Sequence, residues 1–323
     1  MTPTPTCRVC RNTVENRLVR AREMMFGWRD EFDYVECGAC GCVQIADVPA
    51  DLQRYYPAEY VAYREVDGRP PSVRDRLLAS RTAYQLGDRS LLGWMLNRLR
   101  PSVPPYVEWS RRAGVRQGDH ILDAGCGHGA LLLQMRQAGY TRLLGVDPFI
   151  ESAIDYANGV RIIRGELADL RGEFDLVMMH HAFEHVPDPA GTLREIARLL
   201  APRGTALIRI PVADSHAWRT YGTNWVQLDP PRHLFLHTHK SMEILAAAAR
   251  LRIRDVVHDS WGIQFWGSEQ YLRDIPLRDP SSVDVDPARS MFTAEELRQF
   301  TAHAEALNAT GEGDMAAFYL RKL

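Results

Sequence analysis

Lysine is nearly missing from this chain: Lys240 and Lys322 are the only two in 323 residues, and arginine carries the rest of the positive charge. That preference alone points to no functional class. The overall balance excludes more. A formal net charge of -2, with 25% charged residues, lacks the basic excess of a nucleic-acid binder, so no nucleic-acid partner is expected. Arginines 74, 76, 81, 89, 98, 100, 111 and 112 do outnumber the acids of their segment, which reads as the solvated faces of amphipathic helices. No stretch approaches the ~18 consecutive apolar residues of a membrane span. The opening Met-Thr-Pro-Thr-Pro-Thr lacks the apolar core of a secretory leader. A cytoplasmic protein with no membrane partner is the expectation. Repeats, low-complexity tracts and a C-x-x-x-C-x-x-C triplet are also missing, which removes repeat architectures and radical iron–sulfur chemistry.

Cysteine is not scarce. In a chain of this character six cysteines read as ligands or core residues rather than disulfides. Five lie early, as Cys7-x-x-Cys10 and Cys37-Gly-Ala-Cys40-Gly-Cys42. Two paired turns of this spacing make a four-thiolate zinc site from Cys7, Cys10, Cys37 and Cys40, with Cys42 spare. Four soft ligands leave no open position, so the metal is structural; the competing view is a cluster of free or disulfide-prone thiols. Residues 1–48 are therefore expected to form a zinc-ribbon-like module, with strand character around 33–36. Residues 49–117 read as a helical linker or lid, with helices at 74–85 behind a Ser72 cap, at 90–99, and after Pro104-Pro105. The aromatic segment Tyr55, Tyr56, Pro57, Tyr60 and Tyr63 suits packing of the module onto the main domain.

From Asp119 onward the pattern turns α/β. Apolar runs at 121–124, 143–146, 160–163, 176–179, 206–210 and later at 253–257 and 316–321 read as strands. Helical segments near 130–138, 150–157, 190–200, 241–250 and 294–306 alternate with them, which describes a parallel sheet covered on both faces. An insertion is expected at about 260–312. The first strand breaks into Gly125-Cys-Gly-His-Gly129 and then a helix, the usual entrance to a nucleotide site. The spacing is G-x-G-x-G and not the dinucleotide G-x-G-x-x-G. Asp123, where strand meets loop, would repel a pyrophosphate and favour a cationic ligand end. A nicotinamide dehydrogenase is disfavoured on both counts. Asp147, ending the second strand ahead of Pro148, suits the two ribose hydroxyls, and Glu166 beside Leu167 suits an adenine amino group.

In order, Leu122-Asp-Ala-Gly-Cys-Gly-His-Gly-Ala, Gly145-Val-Asp-Pro, Phe174-Asp-Leu-Val, His181-Ala-Phe-Glu-His-Val-Pro-Asp-Pro and Leu199-Leu-Ala-Pro-Arg-Gly-Thr resemble the successive motifs of class I S-adenosylmethionine-dependent methyltransferases. The resemblance covers residues 119–212. It implies a Rossmann-like, doubly wound, mostly parallel seven-stranded sheet with the last strand antiparallel, in residues 118–323. It also implies that Asp123, Gly125, Cys126, Gly127 and Gly129 hold the methionine end of the donor, Asp147 and Pro148 the ribose, Glu166 and Leu167 the adenine, and that His180 and His181 lie beside the methyl. The early cysteine module followed by Tyr-Tyr-Pro is similar to zinc-containing methyltransferases of carbohydrate and natural-product pathways. Their sugar C-methylating members carry a Tyr-x-Glu-His segment; here only His233 matches it, with Pro230 and Arg232 in place of Tyr and Glu.

The chemistry asks little of the protein. The acceptor must be aligned for in-line displacement and must lose a proton, a task that suits a histidine. His233 leads the candidates, with His181 and His180 as further catalytic choices and His216 and His237 behind them; His185 reads as structural. Arg232 suits an anionic group on the acceptor, and Tyr221, Trp225 and His237 are candidates to line its pocket. The expected activity is methyl transfer to a small polar acceptor, a sugar, nucleotide-sugar or natural-product intermediate. The alternative is a non-catalytic donor-binding scaffold whose zinc module docks a partner or RNA. Oligomeric state is open between monomer and homodimer.

Overall fold

The computed structural model describes residues 6–57 and 68–323; Tyr60 and Tyr63 of the expected aromatic segment lie outside them. The first elements are β1 (Arg17–Arg22), β2 (Glu31–Glu36) and β3 (Val43–Ile45). β1 and β2 pair antiparallel with Arg17 opposite Glu36 and Arg20 opposite Asp33, so each charged pair faces its partner across the hairpin. A fourth strand closes this sheet from far away: β10 (Phe235–Leu236) pairs antiparallel with β3. The early module therefore borrows a strand from the main domain. Its interior is shared too, with Tyr34, Val43 and Ile45 packed in one cluster with Trp218, Trp225 and Phe235.

Three helices follow: α1 (Val73–Gln85), α2 (Leu91–Leu99) and α3 (Pro105–Ala113). Ser72 and Asp75 form a reciprocal capping box on α1, and Ser90 caps α2 by accepting from Gly93 N–H. α3 starts on proline and ends at Gly114, whose φ of 79° suits a residue without Cβ. All three sit where the capping chemistry of the sequence puts them.

The main sheet contains β4 (His120–Ala124), β5 (Arg142–Asp147), β6 (Ile154–Asp155), β7 (Arg161–Arg164), β8 (Phe174–His180), β9 (Leu200–Pro211), β11 (Leu251–His258) and β12 (Met315–Lys322). Their order is β11-β12-β9-β8-β4-β5-β7-β6. β4, β5, β7, β8 and β9 run parallel, while β12 is antiparallel to both β9 and β11. These are the seven expected strands with the last one reversed. The eighth, β6, is a two-residue strand antiparallel to β7 at the edge. It overturns the helix expected over 150–157. Asn158 and Gly159, with Gly159 at φ 87°, make a hairpin in which Tyr156 N–H donates to the Val160 carbonyl, and such Asn-Gly turn chemistry ends any helix.

Strand residues alternate between two buried faces. Leu122, Val177, Ile208 and Phe318 pack against Leu193 and Ile196 of α5 (Pro189–Leu199) and Leu245 of α7 (His239–Ala248). Ile121, Met178, Leu207 and Tyr319 pack against Val107 of α3 and Leu132 of α4 (Ala130–Gln137). Each such side chain contributes about 1.5–3 kcal/mol by leaving water. The segment between β11 and β12 holds α8 (Ile263–Leu272) and α9 (Ala294–Thr310), joined by Phe265, Phe300 and Leu307. Among the described residues no helix is long and apolar enough to cross a membrane. Because β4, β5 and β8 are adjacent and parallel, their carboxyl ends meet at one edge of the sheet.

Candidate functional site

At that edge the chain leaves β4 through Gly125, Gly127 and Gly129, with φ of 74°, 53° and 78°. All three occupy the left-handed region that an L side chain rarely adopts. Space adds to the demand at two of them. A Cβ on Gly125 would stand 2.5 Å from Ala182 Cβ, and one on Gly129 would stand 2.6 Å from Ile162 Cδ1. Gly127 N–H donates to Asp147 at 2.8 Å, and Phe149 N–H donates to the other oxygen of the same carboxylate at 2.8 Å. Asp123 is buried beside the loop, and burial first, then the Asp147 charge, pushes its carboxyl up to about 8. The neutral form is thereby favoured near pH 7, and a cation placed against it would draw it back to the charged form.

Cys126 packs its sulfur against β5, where a Cβ on Gly145 would come within 2.5 Å of it, and burial raises its thiol. It belongs to the loop through its backbone. Pro148 is exposed, and Phe149 next to it is 68% exposed, a large apolar ring at the loop mouth that sequence reasoning missed. Glu166 is exposed in the turn after β7, where its N–H donates to Asp169 at 2.9 Å, and Leu167 packs on the core.

The end of β8 carries the histidines. His180 lies against Trp109 with ring centroids 4.3 Å apart. Neither of its ring nitrogens has a hydrogen-bond partner among the described residues, and burial pulls the imidazole down to about 3. His181 has φ 51° and an exposed ring whose Nε2 accepts from Arg209. Arg209 is itself held by Asp259 at 2.6 Å. The lone pair that a base would need on His181 is therefore already taken. A short 3-10 turn, Phe183–His185, comes next. Glu184 in it is fully buried, both carboxylate oxygens are unpartnered among the described residues, and burial pushes the group up to about 8.

His233 faces this turn from the 229–237 segment. Its Nδ1 lies 2.7 Å from the Gln227 carbonyl, and its Nε2 lies 4.0 Å from Glu184 and 3.8 Å from Asp229. The ring centroids of His185 and His233 are 4.8 Å apart. Glu184, His185 and Asp229 were not expected here. Nothing in local spacing joins residues 184–185 to 233, and the only sequence signal was the separate candidacy of His233 as a base.

The expected acceptor residues are mostly placed elsewhere. Arg232 is a correction: its guanidinium is fully buried, bonded to Asp229, to Glu23 at 2.7 Å and to the Tyr55 carbonyl at 3.1 Å. Four of its five N–H groups are thereby used inside the protein, which leaves no bidentate face for an acceptor anion. Trp225 is also fully buried, and its indole N–H donates to Asp314 at 2.9 Å, so it is core. His237 is enclosed between Phe183 and Phe235, with Nδ1 3.2 Å from Ser241, which removes it from any pocket wall. Tyr221 is half-buried and bonded to Glu269. It lines a cleft of about 540 Å³ with Arg17, Glu36 and Trp218, which no residue of the glycine loop enters.

The four early cysteines do converge. Cys7 and Cys40 sulfurs are 3.7 Å apart and Cys10 and Cys37 sulfurs 3.5 Å apart, all four within 4.8 Å of one another. These separations exceed a disulfide bond by more than 1 Å and approach the roughly 3.8 Å edge of a tetrahedron with zinc–sulfur bonds of about 2.3 Å. Ala39 and Cys40 N–H both point at the Cys37 sulfur at 3.4 Å. Cys42 stays outside the group, buried against Val43 and His237. The second knuckle is tied to the main domain: Thr238 donates to the Cys40 carbonyl and Lys240 to the Ala39 carbonyl, each at 2.6 Å.

Residues 94–256, just over half of the chain, match the family described as the methyltransferase domain. The ubiquinone biosynthesis O-methyltransferase of Bordetella avium is 32% identical over 164 residues, 45% of this chain and 66% of that protein. Its counterpart in Escherichia coli is 29% identical over 133 residues, 38% of this chain and 55% of that protein. The chain thus spans between about half and two thirds of the curated relatives it matches. Among solved structures, the cyclopropane synthase MmaA2 of Mycobacterium tuberculosis aligns over 65% of this chain and 80% of its own, with 17% identity and a TM-score of 0.41.

Proposed function

The chain belongs to the methyltransferase-domain family, and from that membership we propose that it transfers the methyl group of S-adenosylmethionine to a hydroxyl oxygen of a small polar acceptor. The observation that carries this is the junction of two sets of residues at one sheet edge. The glycine loop at 125–129 packs on Ala182, and two residues later Glu184 begins the buried group completed by His185 and His233.

On the donor side, Asp123 answers the cationic methionine end, the backbone of the Gly125–Gly129 loop holds it, and Asp147 and Pro148 take the ribose. Glu166 and Leu167 take the adenine, with the exposed Phe149 available to cover it. The bound donor supplies a methyl already activated by its sulfonium. The protein is left with alignment and with removal of the hydroxyl proton. Proton removal falls to the Glu184–His185–His233 group rather than to a lone histidine. His180 and His181 serve as walls, since one ring is sealed against Trp109 and the other is bonded to Arg209.

Oxygen rather than carbon as the acceptor atom is favoured by the O-methylating relatives and by the absence here of the Tyr and Glu of Tyr-x-Glu-His. A sugar, nucleotide-sugar or natural-product intermediate as acceptor is favoured by the cysteine module and the Tyr-Tyr-Pro that follows it. In that module Cys7, Cys10, Cys37 and Cys40 hold one structural zinc ion. The division into residues 1–48, 49–117 and 118–323 is kept as functional parts, with the first bracing the segment that carries His233. The test is methyl transfer from labelled donor into metabolite fractions, with homocysteine release as readout. Glu184→Gln should lower turnover by about 10²-fold or more while donor affinity stays within about twofold. Tight donor binding without turnover on any fraction would sink the proposal.

A further inference from the structure

Glu184, His185 and His233 each offer one ligand-type atom, and these atoms lie within 4.8 Å of one another. Three independent features set the group apart from an ordinary polar cluster. The first is the deficit at Glu184, where two buried carboxylate oxygens have no hydrogen-bond partner among the described residues. That state is costly, and adding a proton does not relieve it, because the nearest ring nitrogens, on His181 and His233, stand 3.7 and 4.0 Å away.

The second is the way both imidazoles are held. His233 Nδ1 lies 2.7 Å from the Gln227 carbonyl, and His185 Nδ1 lies 2.8 Å from the Arg232 carbonyl. A carbonyl only accepts, so each Nδ1 carries the hydrogen and each Nε2 keeps a lone pair. The Tyr56 hydroxyl, 3.2 Å from the same His185 nitrogen, shares that hydrogen. This is the outer bonding that orients metal-ligating histidines. The third is rigidity. The loop bearing His233 is fixed by the Arg232 ion pairs to Asp229 and Glu23 and by Tyr34, whose hydroxyl donates to the His233 carbonyl at 2.9 Å.

We propose that Glu184, His185 and His233 bind a divalent transition-metal cation, separate from the cysteine site and open on its remaining positions to the acceptor. Two imidazoles and one carboxylate suit manganese, iron, cobalt or zinc ions with coordination positions to spare. The role of the ion rests on the O-methyl transfer proposed above; its presence does not. With the ion bound, the three side chains act as its ligands and no longer as the base themselves: a hydroxyl oxygen bound to the ion loses its proton to water more readily. The oxygen then forms the O–CH3 bond as the C–S bond breaks, leaving S-adenosylhomocysteine with no change of oxidation state anywhere.

Manganese(II) is the probe, because it is hard and does not compete for four thiolates. The full-length protein, with zinc on its cysteines, is titrated with Mn2+ and free ion is followed by electron paramagnetic resonance. One bound Mn2+ per chain is expected. Glu184→Gln and His233→Asn should each weaken it at least tenfold with zinc content and circular dichroism unchanged, and His239→Asn should leave it intact. Absence of bound Mn2+, with Co2+ titration also filling no site beyond the thiolates, would overturn the proposal. So would binding that survives both site variants. Glu184-dependent methyl transfer without a bound ion removes the cation and leaves the transfer standing. A bound ion without transfer does the reverse.

Discussion

Asp123 and Asp147 end neighbouring parallel strands, and the first is kept mostly neutral by its burial and by the charge of the second. A cationic ligand end should therefore release a proton as it binds. Calorimetry of S-adenosylmethionine binding at pH 6.5 should give enthalpies that differ between buffers of high and low ionisation heat. Affinity should rise from pH 6 to 7.5 as the carboxyl ionises more easily. Asp123→Asn should abolish the buffer dependence; equal enthalpies in the wild-type protein would show that Asp123 does not ionise on binding. The gathering of this loop and its two acids at neighbouring strand ends was readable in the sequence, because three glycines and two acids within 25 residues mark where a strand gives way to a tight loop. Arg232 was not readable. Its partner Glu23 lies 209 residues away, and a guanidinium looks the same in a string of letters whether it meets substrate or a buried carboxylate. Removing it strands two buried acids, so Arg232→Met should cost about 3–5 kcal/mol in denaturant unfolding. A loss within ±0.5 kcal/mol would show that its ion pairs are dispensable.

Capped helices and alternating strands were the elements read best, since each rests on local chemistry. α1 is the clearest case. Asp75 accepts from Ser72 N–H at 2.6 Å and from Arg69 at 2.6 Å, and the Arg69 bond holds its carboxyl well below the ordinary value of 3.8. A depressed folded value stabilises above the ordinary value and is lost as the pH falls through the folded one. Asp75→Asn should thus destabilise by about 1 kcal/mol at pH 7, with the gap to wild type narrowing below about pH 3.8. A gap independent of pH would assign the loss to the hydrogen bonds alone. The 150–157 segment shows the opposite case, where Asn-Gly turn chemistry outweighed the expected alternation of strand and helix. α2 turns Leu91, Trp94, Met95 and Leu99 to solvent, an apolar face that the same pattern would have buried.

At the scale of the molecule, the cysteine module and the methyltransferase domain share a sheet, a core and the segment from 229 to 240. The sequence suggested separate parts in series, 1–48, 49–117 and 118–323, because β10 is two residues long and carries no strand signature of its own. Stripping the proposed zinc ion from the thiolates, or Cys37→Ser, should loosen the second knuckle, release Thr238 and Lys240, and disturb His233. Melting temperature and turnover should fall together, while donor affinity, which the proposed function assigns to the 123–147 region, stays within about twofold. Donor affinity falling in step with turnover would mean that the module supports the whole sheet and not the acceptor side alone.

The borrowed strand also sets a schedule for synthesis. Cys40 and the residue that clasps it, Thr238, are 198 positions apart. At about 5–20 residues per second, a ribosome needs on the order of 10–40 s to make that stretch. Through this interval β3 is an uncovered edge carrying the buried side chains Val43 and Ile45, the kind of edge that pairs with other chains. Soluble yield should accordingly improve when translation is slowed relative to chaperone supply, and a nascent chain halted before Phe235 should be a holdase client even when zinc is supplied to it.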